Sequence, residues 1–247
     1  MADIAPTQIA DDVFLCTGTE VNWLLVRDGR DLTLVDGGYP ADAEALEASI
    51  TALGLRPQDV RAALLTHAHV DHLGGLRALA DRYGTRVLCH ADEVPHARRE
   101  YLEQAGPADV VANIWRRGMV PWTVRILRAG ALSDVSLASV ESAPAGQPLD
   151  LPGTPVLVPT PGHTSGHAAY LFPSVGVVAT GDALATGHRL CRHVGPQLLP
   201  PMFAHARHGS PTDALAVLGS LDAGTVAPGH GPVLDLPIAF AAALAHR

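Results

Sequence analysis

The sequence contains no lysine. All 17 basic residues are arginine, set against 25 acidic ones for a formal charge of −8, and no basic stripe breaks that balance. A nucleic-acid backbone is therefore not expected as the principal partner. Cysteine is scarce as well: Cys16, Cys89 and Cys191 are scattered, which argues against a disulfide framework, and the first two lie in strand-like segments where a buried thiol acts as a small apolar side chain. No apolar run approaches the roughly 18 residues of a membrane span. The start, Met-Ala-Asp-Ile-Ala-Pro, lacks the basic cluster and apolar stretch of a secretory signal. The expected setting is the cytoplasm, with no membrane partner.

What the chain has in excess is histidine, 13 in 247 residues. With 47% apolar residues, it is long enough to bury a large core as one domain spanning 1–247. Glycine-punctuated apolar runs at 13–18, 21–26 and 31–38 read as strands, the last ending at Asp36. Residues 40–54 read as a helix, with proline near the start, apolar residues three and four apart, and a closing glycine. A strand at 60–67, a helix at 74–84 and a strand at 86–90 follow. The second half repeats the scheme: strands at 154–167, 168–173 and 176–184, a capped helix at 210–221 and a strand at 224–232. Strands buried on both faces with helices outside predict an α/β protein of four layers, two sheets face to face with helices covering both. Residues 91–135 break the pattern with an arginine-rich, apolar helical stretch. They read as an inserted cap, within which deleting 96–130 is expected to preserve metal binding but change substrate preference; unchanged preference would make it an oligomer contact.

The histidines gather in "LLTHAHVDHLGG", residues 64–75, placed by this reading in a strand-to-helix loop. In an extended segment His67 and His69 point to one side, and after the bend Asp71 and His72 face a second point, so one short loop seeds two adjacent metal positions. A solvated loop accounts for one such histidine but not for His-x-His-x-Asp-His opening onto Gly-Gly. Imidazole and carboxylate donors without thiolates suit zinc, iron or manganese.

These residues resemble the first metal motif of the metallo-β-lactamase-fold hydrolase superfamily, and the later motifs follow in that family's order. "TPGHTSGH" supplies His163, "ATGDAL" supplies Asp182 and "APGHGP" supplies His230. The resemblance implies the αββα fold with a helical insertion. It implies two divalent metal ions, zinc first, with iron or manganese as alternatives. His67, His69 and His163 would bind one ion and Asp71, His72 and His230 the other, with Asp182 bridging. A bridging water, deprotonated near neutral pH, would then attack a bound carbonyl while Asp71 or Asp182 passes the proton to the leaving group.

Departures from subfamily patterns narrow the expectation. Asp182 and the missing export signal disfavour antibiotic hydrolysis. The motifs are similar to those of glyoxalase II, but the stretch after His230 leaves no room for that enzyme's helical C-terminal domain. Ala185 stands where acyl-homoserine lactonases carry tyrosine. The leading expectation is a dinuclear hydrolase of a small ester, thioester or lactone. An iron-dependent persulfide dioxygenase-like enzyme and a catalytically silent metal-binding module are the alternatives. The expected partner is a small-molecule substrate, and a homodimer is left open.

Around the ligands, Asp36 resembles the family's acidic residue beneath the site, where it would orient a metal-bound histidine; a turn cap is the other reading. His167 is either a support of the metal ligands or a buried, satisfied histidine. Tyr170 and Trp115 read as packing residues rather than stacking platforms. His188, Arg189, Arg192 and His193 offer basic groups to an anionic substrate, or form a solvated loop. Trp115, Met119 and Trp122 are read as a lid over an acyl group.

Overall fold

In the computed structural model, which describes residues 5–191 and 193–246, two mixed β-sheets face one another. The first runs in chain order: β1 (Thr7–Ala10), β2 (Val13–Thr17), β3 (Asn22–Asp28), β4 (Asp31–Val35), β5 (Val60–Leu64), β6 (Val87–Cys89) and β7 (Glu141–Ser142). Its first four strands pair antiparallel and the remainder parallel. The second sheet holds β8 (Val156–Pro159), β9 (Ala168–Phe172), β10 (Val177–Gly181), β11 (Thr225–Pro228) and β12 (Leu234–Asp235), in the order β12-β11-β10-β9-β8. Arg192 lies outside the described residues.

Period-two alternation divides the strands between separate cores. On β3, Leu24 and Val26 face the second sheet and pack with Leu64, Tyr170 and Phe172. Trp23 and Leu25 face the other way, against Leu46 and Ile50 of α1 (Ala43–Ala52) and Leu73 and Leu76 of α2 (Val70–Tyr83). Both faces are buried, so the strand reads as an unbroken apolar run. Beyond the second sheet, Val178 and Val226 pack against Leu215 and Leu218 of α6 (Pro211–Gly219) and Ala241 of α7 (Ile238–Ala245). Helix, sheet, sheet, helix is the four-layer order expected from the sequence.

Residues 91–135 form α3 (Val94–Ala97), α4 (Pro107–Ala112) and α5 (Met119–Arg128). One stripe of α5, Met119, Trp122 and Ile126, is buried in the same core as α1 and α2. No described helix is long and apolar enough to cross a membrane.

Helix α2 starts earlier than its sequence suggests. It begins at Val70 with His69 as N-cap, so only His67 and His69 lie in the loop, and Asp71 and His72 occupy the first helical turn. The helix packs directly on the chain after β4, where Gly75 N–H donates to Gly38 O at 3.0 Å and Gly37 N–H to His72 O at 2.9 Å. A Cβ at Gly75 would collide with the Gly37 carbonyl. That is why Gly-Gly follows the histidine cluster. The close approach carries His72 to Asp36, just past the end of β4.

Candidate metal centre

Asp36, His67, Asp182 and His230 all follow the C-terminal ends of strands, and the loops there gather seven donors. His67, His69, His163 and Asp182 each present one ligand atom within 4.8 Å of the others, as do Asp71, His72 and His230. The Asp182 carboxylate lies between the two groups. Its Oδ2 is 3.2 Å from His163 Nε2 and 3.3 Å from His230 Nε2, and its Oδ1 is 3.3 Å from His72 Nε2. His67 Nε2, His72 Nε2 and Asp182 Oδ1 are buried with no hydrogen-bond partner among the described residues. Orphaned buried polar atoms are costly. Three of them converging in a nitrogen- and oxygen-donor cluster fit divalent metal ions.

The ring orientations are fixed from behind. His72 Nδ1–H donates to Asp36 Oδ2 at 2.8 Å, which directs Nε2 inward. Thr66 donates its N–H to Asp36 Oδ1 and its hydroxyl to Oδ2, both at 2.8 Å, and Thr66 Oγ1 lies 3.1 Å from His67 Nδ1. One carboxylate thus sets a ring in each group, directly for His72 and through a hydroxyl for His67. Asp36 holds a left-handed backbone, φ 59°, which non-glycine residues adopt at some cost. His230 Nδ1–H donates to Glu20 O at 2.6 Å. His167 acts through the backbone: Asp182 N–H donates to His167 Nε2 at 3.1 Å, and His167 Nδ1–H to Thr160 Oγ1 at 2.8 Å.

Neither the backing residues Thr66, Glu20 and Thr160 nor a further group in the insertion, Glu93, His96 and Glu103, was singled out from the sequence. The buried Glu93 carboxylate accepts from Ala68 N–H at 2.6 Å, His96 Nδ1–H at 2.8 Å and the Thr164 hydroxyl at 2.9 Å. It therefore ties the loop carrying His67 and His69 to the loop carrying His163. Glu103 accepts from Ser165 N–H at 2.6 Å and from its hydroxyl at 2.8 Å, and its own carbonyl receives His69 Nε2–H at 2.6 Å. That bond leaves His69 Nδ1 as the inward-facing donor, 3.1 Å from His163 Nε2. Gly166 touches the Glu93 backbone so closely that any Cβ would clash. Residues 91–135 are therefore part of the scaffold of the centre, and the expectation that 96–130 could be deleted without loss of metal binding is corrected, because Glu103 in that stretch orients His69 and holds Ser165.

Electrostatics separate the two carboxylates. Burial alone would raise the Asp182 carboxyl, but the imidazoles of His230, His72 and His163 outweigh it and hold the group well below the usual range. Burial raises Asp71 despite the opposing imidazoles of His72 and His230. Among the histidines, burial first and then neighbouring His72 and His69 push His67 well down. Burial likewise takes His163 to about 4 and His167 to about 3. A neutral imidazole with a free nitrogen is the form that binds a metal.

A family model for the metallo-beta-lactamase superfamily matches residues 16–230, from β2 through His230. The chain belongs to that superfamily. As a superfamily member it is a metal-dependent hydrolase, and its relatives carry matching names. It is 26% identical to the probable metallo-hydrolase YybB of Bacillus subtilis, over 72% of each chain. It is 32% identical to a hydroxyacylglutathione hydrolase of Anaeromyxobacter dehalogenans, covering 89% of this chain but only 64% of that relative's length. The solved Rm3 metallo-beta-lactamase shares the fold, with a TM-score of 0.68 at 20% identity over 99% of this chain and 92% of that one.

In this superfamily member a cavity of about 810 Å³ opens over the donors, and His69, Asp71, His163, Asp182 and His230 form part of its wall. Trp122 and His188 also line it, as the sequence suggests, but the other substrate-contact assignments are corrected. Trp115 is 79% exposed and its indole N–H donates to Ala112 O; Met119 is packed in the core. Arg189 is held by Glu20 at 2.5 Å, and His193 is exposed and outside the lining. His188 does not serve as a cation either. Burial lowers it to about 3, and its ring packs edge-on against Trp122, Phe203 and His230. Tyr39 is a lining residue that the sequence did not flag. Burial, reinforced by Asp71 and other carboxylates, raises its phenol well up, so it remains a protonated donor. Tyr170 is a packing residue, fully buried with its hydroxyl donating to Leu65 O at 3.0 Å.

Proposed function

We propose that this protein is a dinuclear metal-dependent hydrolase of small esters, thioesters or lactones. The observation that carries the reading is the Asp182 carboxylate between two complete donor groups at the floor of an open cavity. His67, His69 and His163 would hold one divalent ion, Asp71, His72 and His230 the other, and Asp182 would serve both. Two such ions supply Lewis acidity and make water a nucleophile near neutral pH, and zinc suits these donors.

The chain's own residues perform the remaining tasks. Asp36, Thr66 and the Glu103 carbonyl preset the imidazole tautomers, so no reorientation is needed when the centre fills. Asp71 lies at the cavity floor with its carboxyl raised by burial, which suits it to take up a proton and return it to a leaving group. Tyr39 offers a phenolic hydrogen bond from the cavity wall. The hydroxyacylglutathione hydrolase relative supports including thioesters in the substrate class.

The test is metal content and turnover on one sample, using an ester, thioester and lactone panel with and without oxygen. The expected result is two metals per chain and oxygen-independent cleavage. Stoichiometric iron at a single site with oxygen consumed on a thiol-derived substrate would replace the hydrolase reading with the dioxygenase one. Bound metal without turnover across the panel would point to the silent metal-binding module.

A further inference from the structure

Resting on the hydrolase reading, we infer that the cavity selects substrates with a long, unbranched apolar acyl group, and that α5 and the chain beside it form its acyl tunnel. At about 810 Å³, the cavity is far larger than an acetyl or lactoyl group needs. Its inner wall is largely apolar and aromatic: Trp122 and Ile126, one turn apart on α5, are joined by Phe203, with Gln104, Thr123, Ser133 and Asp134 interrupting the apolar lining. The apolar wall continues to the rim, where Val111 is 69%, Leu127 47% and Leu132 74% exposed. Leu102, also in the lining, is exposed too; Ile114, Trp115, Val120 and Val124 of the same insertion are exposed outside the lining, and beyond the insertion the exposed large hydrophobics among the described residues are Val194 and Phe240. The exposed apolar residues thus concentrate in the insertion that borders the cavity mouth, so a chain too long for the cavity would emerge over an apolar rim.

The same wall is poorly suited to a polar, peptide-like conjugate. Arg99 is its single arginine, and one guanidinium N–H already donates to Ala68 O at 2.8 Å. His188, the lining imidazole beside the aromatic cluster, is packed edge-on against Trp122, Phe203 and His230. A substrate carrying two free carboxylates would have to bury them against leucine, valine and tryptophan, which is costly without partners.

The experiment measures kcat/KM for straight-chain acyl thioesters from two to twelve carbons on the zinc-loaded enzyme, below their micellar concentrations, with a hydroxyacyl glutathione thioester for comparison. The expected result is a rise of about fourfold per methylene, the equivalent of about 0.8 kcal/mol, carried mainly by KM and levelling once the chain reaches the rim. The glutathione thioester should lie well below the ten-carbon substrate. Ile126→Trp, which narrows the tunnel, should move the preferred length to shorter chains. Should that variant not fold, calorimetric titration of the wild type with a series of straight-chain alcohols replaces it, and affinity should rise with length. Metal-dependent cleavage of short esters with flat or falling length dependence would overturn the tunnel and leave the hydrolase standing. Absence of turnover at every length would count against the hydrolase reading, and the alcohol titration would then decide the tunnel alone, length-independent binding overturning it.

Discussion

Asp36 Oδ2 receives the Nδ1–H of His72 at 2.8 Å while its other oxygen receives the N–H of Thr66, also at 2.8 Å. One carboxylate therefore clamps the first turn of α2 to the end of β5 and orients an imidazole of each donor group. Asp36→Ala should leave the fold intact and weaken zinc binding by about 10- to 100-fold, the usual scale for losing such an orienting partner. Competition against a coloured chelator measures it, and wild-type affinity in the variant would show that Asp36 only caps a turn.

Glu93 has the corresponding role on the insertion side. Its three donors come from the loop before α2, from α3 and from the loop bearing His163, so it crosslinks both ligand loops from below. Glu93→Gln keeps the volume but turns one acceptor oxygen into a donor facing other donors. Stability should fall by about 1–3 kcal/mol, read as a shift in urea midpoint of the metal-free protein, and zinc affinity should fall with it. A variant as stable and as tight-binding as wild type would detach the insertion from the centre.

Glu93 also marks the limit of what the sequence reveals. The seven candidate donors are legible because ligation would demand particular residue types at strand ends, and the spacing of "HAHVDH" carries that demand in one short stretch. The strands are legible because a layer buried on both faces reads as a continuous apolar run. The supports are different. Glu93, His96 and Glu103 acquire their role only when the insertion folds back onto the loops, and a glutamate in "HADEVPH" has no local signal of that. The clash at Gly166 is the nearest thing to one, and it requires knowing which backbone lies opposite. Trp115 and Trp122 look equivalent in sequence; α5 begins at Met119 after Gly118, so Trp122 sits on the buried stripe of the helix while Trp115 lies in the turn before it, in solvent. The pairing of Arg189 with Glu20 spans most of the chain and removes an apparent anion binder from the cavity.

His167 gives a test in pH. Burial lowers its imidazole to about 3, whereas an unfolded histidine titrates near 6.5. Between those values the unfolded chain takes up a proton that the folded one refuses, so its contribution to stability is complete above pH 6.5 and is lost as pH falls toward 3. From pH 7 to 5 that loss is about 2 kcal/mol. Urea unfolding of the metal-free protein at pH 7 and pH 5, compared with His167→Gln, should show the wild type losing about that much more than the variant. Equal losses would mean that His167 is protonated in the folded protein and that its bond from Asp182 N–H is absent.

Asp182 tests the two-ion reading most directly, because it separates the shared carboxylate from the fold around it. Its backbone is held by the N–H bond to His167 and by its place after β10, neither of which needs the carboxylate. Asp182→Asn should therefore fold with an unchanged circular dichroism spectrum. Its side chain, however, replaces an anion facing His163, His230 and His72 at 3.2 to 3.3 Å with a neutral amide. Both donor groups lose a shared anionic ligand, so the metal count under matched zinc should drop below two per chain and kcat should fall by at least about 100-fold. A variant that loses one ion but keeps near wild-type turnover would place the chemistry at a single ion. One that keeps both ions and near wild-type turnover would show that the carboxylate between the groups is not the bridge.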